Sequence, residues 1–120
     1  MKLRHLGLPV RDVNRSLRFY VTYFGFEEAS AHSYPDGTVF VHNADRFDLA
    51  LHETTEEVAA PSGFLHFGFA MPSAAAVRAL RAEMESDKVP VIEDVEEANL
   101  VSFKCLDPDG WRVEVYWEVP

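Results

Sequence analysis

The segment GFLHFGFAMPSAAAVRALRAEM, Gly63–Met84, decides the fold, because it restarts a pattern that the chain has already run through once. Its first part alternates: Leu65, Phe67 and Phe69 fall on one parity and Phe64, His66 and Gly68 on the other, the period of a β-strand with two unlike faces. After Pro72, Ser73 can cap a helix on which Val77, Leu80 and Met84 recur at helical spacing, leaving Arg78, Arg81, Glu83 and Glu85 for solvent. The chain opens in the same order. In LRHLGLPV, Leu6 and Leu8 share one face and His5 and Gly7 the other; Asp12 or Asn14 can then cap a helix carrying Val13, Leu17, Tyr20, Val21 and Phe24, with Gly25 placed to end it.

Three strand candidates follow each helix. After the first come FEEASAHSY, then TVFVHN behind a Pro35-Asp36-Gly37 turn, then FDLALHE behind Asn43-Ala44-Asp45. After the second come VPVIEDV, NLVSFKCL and WRVEVYW, the last entered through Pro108-Asp109-Gly110. The pattern predicts an α+β fold of two paired βαβββ modules, residues 1–53 and 64–120, joined by the linker TTEEVAAPSG at 54–63 within one domain, 1–120. The repeat is one of architecture, since the two Pro-Asp-Gly turns fall at different joints. A module of this size buries too little surface to be comfortable alone, so the two should share an interior, helices outside and inner sheet faces enclosing a cleft.

Composition narrows the function. A formal charge of -9, from 11 Lys and Arg against 20 Asp and Glu, argues against nucleic-acid binding. With 48% hydrophobic residues the chain has ample material for a core. Arg4, His5, Arg11 and Asp12 interrupt the N-terminal region, and no segment approaches the length of a membrane span, so no membrane partner and a cytoplasmic location are expected. Cys105 shares the parity of Val101 and Phe103 and reads as a buried, inert thiol.

Strand parity then sorts candidate site residues. Leu6, Leu8, Val39, Val41, Leu49, Leu51, Leu65, Phe67, Phe69, Val101, Phe103, Val113 and Val115 should meet the helices. The opposite parity, lining the cleft, carries His5, Phe40, His42, Ala50, His52, Phe64, His66, Lys104, Glu114 and Tyr116, with Gly7 and Gly68. Singly, His5 reads as a surface residue at a strand start, His66 as a core histidine and Glu114 as a solvated strand residue. Jointly, two imidazoles and a carboxylate on rigid strands form a facial donor set that holds a divalent metal and leaves positions open for substrate or water. Lys104, His52 and Tyr116 are the candidates for proton transfer, by their place on that face.

HLGLPVRDVNRSLRFYVTYFGF at the start, FLHFGFAM in the middle and LDPDGWRVEVYW at the end resemble the vicinal oxygen chelate superfamily, which joins glyoxalases, bleomycin-resistance proteins and extradiol dioxygenases. The resemblance spans essentially the whole chain. It implies paired βαβββ modules, a homodimer with metal sites between modules, often between chains, and metal ligands at His5, His66 and Glu114. It also implies one divalent ion, Fe(II), Mn(II), Zn(II) or Ni(II), and a small oxygenated or aromatic substrate chelated through two oxygens. Glyoxalase-type and epimerase-type members place a fourth ligand where this chain has Ala50, which cannot ligate. His52 shares its parity, but two strand residues advance about 6.6 Å, so three protein ligands are expected.

That count is similar to extradiol dioxygenases, which use Fe(II), and to fosfomycin-modifying thiol transferases, which use Mn(II). The thiol transferases carry threonine where Gly7 stands, and their phosphonate-binding cations have no counterpart in IEDVEEAN. Many of the dioxygenases use two such domains in tandem. The alternative is a metal-free module that sequesters a drug or natural product, with Phe40, Phe64, Tyr116 and Trp111 as stacking surface. Retention of all three ligands favours the enzyme.

Overall fold

A computed structural model describes residues 1–56 and 63–120, and its contacts divide the chain into two units, Met1–Ala59 and Ala60–Pro120. The expected linker, 54–63, falls largely on residues 57–62, outside the described residues.

The first unit runs β1 (His5–Val10), α1 (Val13–Phe24), a 3-10 turn (Glu28–Ser30), β2 (His32–Ser33), β3 (Val39–His42) and β4 (Asp48–Glu53). Asp12 starts α1 by accepting the Arg15 N–H at 3.1 Å, and Gly25 ends it in the left-handed region at φ 72°. The helix buries Val13, Ser16, Phe19 and Tyr20, while Leu8, Val10, Val41, Leu49 and Leu51 are the buried strand residues. The sheet has the order β1-β4-β3-β2, with β1 parallel to β4 and the other pairs antiparallel.

FEEASAHSY is not a full strand. Glu27 to Ala31 turns on local bonds, with the Ser30 N–H and hydroxyl both donating to the Glu27 carbonyl, and only His32 and Ser33 join the sheet. The segment lacks apolar residues to bury on alternate positions, so local side-chain bonding prevails over the ladder.

The second unit repeats the plan: β5 (His66–Ala70), α2 (Ala74–Ser86), β6 (Val91–Glu96), β7 (Leu100–Leu106) and β8 (Arg112–Glu118), in the sheet order β5-β8-β7-β6 with β5 parallel to β8. Ser73 caps α2 by accepting the Ala76 N–H at 3.1 Å. Val101, Phe103, Cys105, Val113 and Val115 are buried with Val77, Leu80 and Met84 of α2. Each fully buried Val or Leu contributes roughly 1.5–3 kcal/mol. Leu65 departs from its expected place: it precedes β5 and is 54% exposed. Arg78 and Arg81 of α2 pair with Glu96 and Asp94 of β6, so those carboxylates lie on the helix side.

Both Pro-Asp-Gly turns close hairpins, β2–β3 and β7–β8, with Gly37 and Gly110 at φ 89° and 87°. At the second, the buried Asp107 carboxylate accepts the Asp109 and Trp111 N–H groups, each at 2.9 Å. This fixes the strand that carries Glu114. The β3–β4 turn uses the same bonding, with Asn43 Oδ1 accepting the Phe47 N–H and Arg46 at φ 64°. No described helix is long and apolar enough to cross a membrane.

Candidate functional site

The two modules place their histidines alike. His5 is the first residue of β1 and His66 the first residue of β5, each two residues before a glycine. In the parallel pairing of each first strand with each last strand, Gly7 meets Ala50 and Gly68 meets Glu114. Ala50 is therefore the register counterpart of Glu114. A fully symmetric pair of modules would offer two histidines and two carboxylates; this chain offers two histidines and one carboxylate.

In the second unit, His66 and Glu114 meet on the sheet face opposite α2, with His66 Nε2 3.6 Å from Glu114 Oε1 and side chains only 22% and 27% exposed. His66 Nδ1 lies 2.6 Å from the Phe64 carbonyl. A carbonyl can only accept, so Nδ1 carries a proton, and Nε2 is the ring nitrogen turned toward Glu114. Backbone anchoring of Nδ1–H is the usual way a metal-ligating histidine is held. At 3.6 Å the two donor atoms are close enough to converge on one cation. When His66 is protonated the same pair is a half-buried ion pair.

Around the pair stand Phe64, Lys104, Tyr116 and Glu93. The Phe64 ring meets His66 edge-on at 5.2 Å, and Lys104 Nζ lies 5.4 Å over the Phe64 ring. Lys104 pairs with Glu93 at 3.2 Å, its own side chain 13% exposed, and is Glu114's partner across β7–β8. Tyr116 flanks Glu114: a Cβ built on Gly68 would come 3.3 Å from both Glu114 Cβ and Tyr116 Cε1.

In the first unit, His5 is exposed at the head of β1, with Asp48 as its partner in β4. His42 is engaged elsewhere, 3.3 Å from Glu27. His52 Nδ1 lies 2.8 Å from Thr38 Oγ1, and Phe40 pairs with Ala50. Among the described residues no three His, Cys, Asp or Glu side chains converge on one point.

Sequence reasoning missed Glu93 and Thr38. Glu93 reaches Lys104 because the β6–β7 register shifts between Val91 and Glu93, a bulge that changes strand parity and leaves no mark in VPVIEDV. Thr38 shares the parity of Phe40 and His52, and that pattern could have found it. Cys105 is buried and its thiol is pushed up to about 12 by burial, with Asp107 adding to the effect, which makes it inert.

The chain matches the family model of the glyoxalase/bleomycin resistance protein/dioxygenase superfamily over residues 2–115. Among solved structures it is similar to a possible glyoxalase from Bacillus cereus, at 28% identity and a TM-score of 0.80, covering 96% of this chain and 97% of that one. It is also similar to lactoylglutathione lyase from Agrobacterium tumefaciens, at 24% identity and a TM-score of 0.74, covering 97% and 92%. The fosfomycin resistance protein FosX from Listeria monocytogenes shares the fold at 17% identity, with a TM-score of 0.81 and coverage of 99% and 94%. No curated protein matches the chain in sequence. With the family model spanning nearly its whole length and both βαβββ modules in place, the chain belongs to the glyoxalase/bleomycin resistance protein/dioxygenase superfamily.

Proposed function

We propose that this protein is a divalent-metal-dependent enzyme acting on a small oxygenated or aromatic molecule that presents two adjacent oxygens. The observation that carries the reading is the His66–Glu114 pair, with Nδ1 of His66 committed to the Phe64 carbonyl and Nε2 turned to the carboxylate. His5, the register counterpart of His66 in the first module, is the third ligand in this proposal, supplied from the same chain or from a second copy in a homodimer. Fe(II), Mn(II), Zn(II) and Ni(II) all suit a donor set of two imidazoles and one carboxylate. FosX from Listeria monocytogenes has been crystallised with Mn(II) and sulfate, which supports a metal role for this architecture.

When bound, such an ion would polarise the two chelating oxygens and stabilise negative charge developing on the substrate. The chain's own residues then have separable tasks. Lys104, largely shielded, paired with Glu93 and opposite Glu114 across β7–β8, is a candidate for proton transfer at this face. Tyr116 places its ring against Gly68 and can hydrogen-bond a substrate oxygen or hand it a proton. Phe64, 76% exposed, offers an apolar wall to a planar substrate.

Metal analysis of protein purified without chelators tests the reading: about one divalent ion per chain is expected. An empty protein that takes up none of the four ions on addition overturns it and leaves ligand sequestration on Phe64 and Tyr116 as the function.

A further inference from the structure

The first unit carries a hollow of its own, and what it can hold does not depend on the metal reading. Tyr34, Pro35, Asp36, Thr38 and Phe40 line an open space of about 520 Å³ at the β2–β3 hairpin. The hairpin is closed by its own backbone, with the Tyr34 N–H donating to the Thr38 carbonyl at 2.8 Å and the Gly37 N–H to the Tyr34 carbonyl at 3.0 Å. Its walls are therefore set before a ligand arrives. The Tyr34 and Phe40 rings stand 5.2 Å apart at 67°, and Tyr34 meets His32 at 4.9 Å and 86°. Rings inclined this steeply form a corner and not a stack, and Tyr34 is 47% exposed, so ring surface borders the hollow.

The charge around this corner has one sign. Asp36 Oδ1 accepts the Thr38 N–H at 2.9 Å, which holds the carboxyl below its usual range. None of the four strands of this sheet carries a Lys or Arg, and none lies between Phe19 and Asp45, a stretch that holds Glu27, Glu28, Asp36 and Asp45. Aromatic ring faces are themselves negative, so the hollow joins π surface to an anion. A metal ion needs several oxygen donors, which one carboxylate does not provide. A neutral ring would use the aromatic walls and leave the carboxylate without a counter-charge. An alkylated ammonium ion, with its charge spread over apolar methyl groups, matches both features.

We propose that the hollow at the β2–β3 hairpin is a binding site for small alkylated ammonium cations, walled by Tyr34 and Phe40 and anchored by Asp36. The methyl groups rest on the rings, and the positive charge faces the rings and the carboxylate together. The formal charge of -9 on the whole chain adds a long-range attraction for the same ions.

NMR titration of the full chain with two probes of one shape tests the proposal: choline, and the neutral alcohol that carries a tert-butyl group in place of its trimethylammonium group. Choline should shift the Tyr34 and Phe40 ring signals saturably, and the neutral alcohol should bind about fivefold or more weakly. Asp36→Asn keeps an oxygen for the Thr38 N–H, so the turn survives, and should weaken choline about threefold or more. Asp45→Asn, which removes a carboxylate outside the hollow, should leave choline binding unchanged. Equal binding of the two probes, an equal loss in Asp36→Asn and Asp45→Asn, or choline shifts absent from Tyr34 and Phe40 would overturn the proposal.

Discussion

Gly68 faces Glu114 directly across the β5–β8 pairing, and a side chain on it would crowd both Glu114 and Tyr116 at 3.3 Å. Its register counterpart Gly7 has open space instead. Gly7→Ala should be neutral or stabilising by about 0.4–1 kcal/mol, whereas Gly68→Ala should lose that gain, because strand residues must shift by tenths of an ångström. Urea unfolding of the two variants checks the difference. Gly68→Ala should also weaken Mn(II) binding by about tenfold, on the scale of a disturbed ligand support.

Arg46 occupies, at φ 64°, the turn position that Gly110 fills in the equivalent hairpin of the second module. A side chain in the left-handed region costs roughly 1 kcal/mol. Arg46→Gly should therefore raise stability by about 0.5–1 kcal/mol, read as a higher urea midpoint at unchanged slope.

Asp107 is buried and satisfies two backbone N–H groups of the turn before β8. Asp107→Ala removes the oxygen that both N–H groups share and should cost about 1–3 kcal/mol. Asp107→Asn keeps an accepting oxygen and should recover part of that loss, as thermal melts of the pair would show.

Burial raises the Cys105 thiol from an ordinary value near 9.0 to about 12. Native protein at pH 8 should resist a disulfide reagent and react only as fast as it unfolds. The unfolded chain ionises near the ordinary value and the folded chain does not, so the thiol's stabilising contribution is complete below about 9 and is lost as pH rises toward 12. Cys105→Ala should show a shallower fall in urea midpoint across that range.

Much of the architecture was legible because apolar periodicity changes cleanly between two and 3.6 residues. Asp12, Gly25 and Ser73 announced their helix ends through capping chemistry. FEEASAHSY misled because Ser30 satisfies the backbone locally, which alternation cannot reveal. At the site, parity brought His66, Glu114, Lys104 and Tyr116 to one face, and the register of Gly7 with Ala50 makes Ala50 the counterpart of Glu114. The bulge near Ile92 that delivers Glu93 to Lys104 is a shift of backbone register beyond the reach of a periodic pattern, whereas Thr38, which engages His52, lay on a parity that the pattern could have used.

Cobalt(II) titration followed by visible absorption tests the central claim most directly, since band intensity reports coordination and the endpoint reports stoichiometry. The account predicts one Co(II) per chain in the wild type, affinity reduced about a hundredfold or more in each of His5→Ala, His66→Ala and Glu114→Ala, and no such loss in His42→Ala. No uptake by the wild type, or stoichiometric uptake that survives removal of both His66 and Glu114, would contradict it.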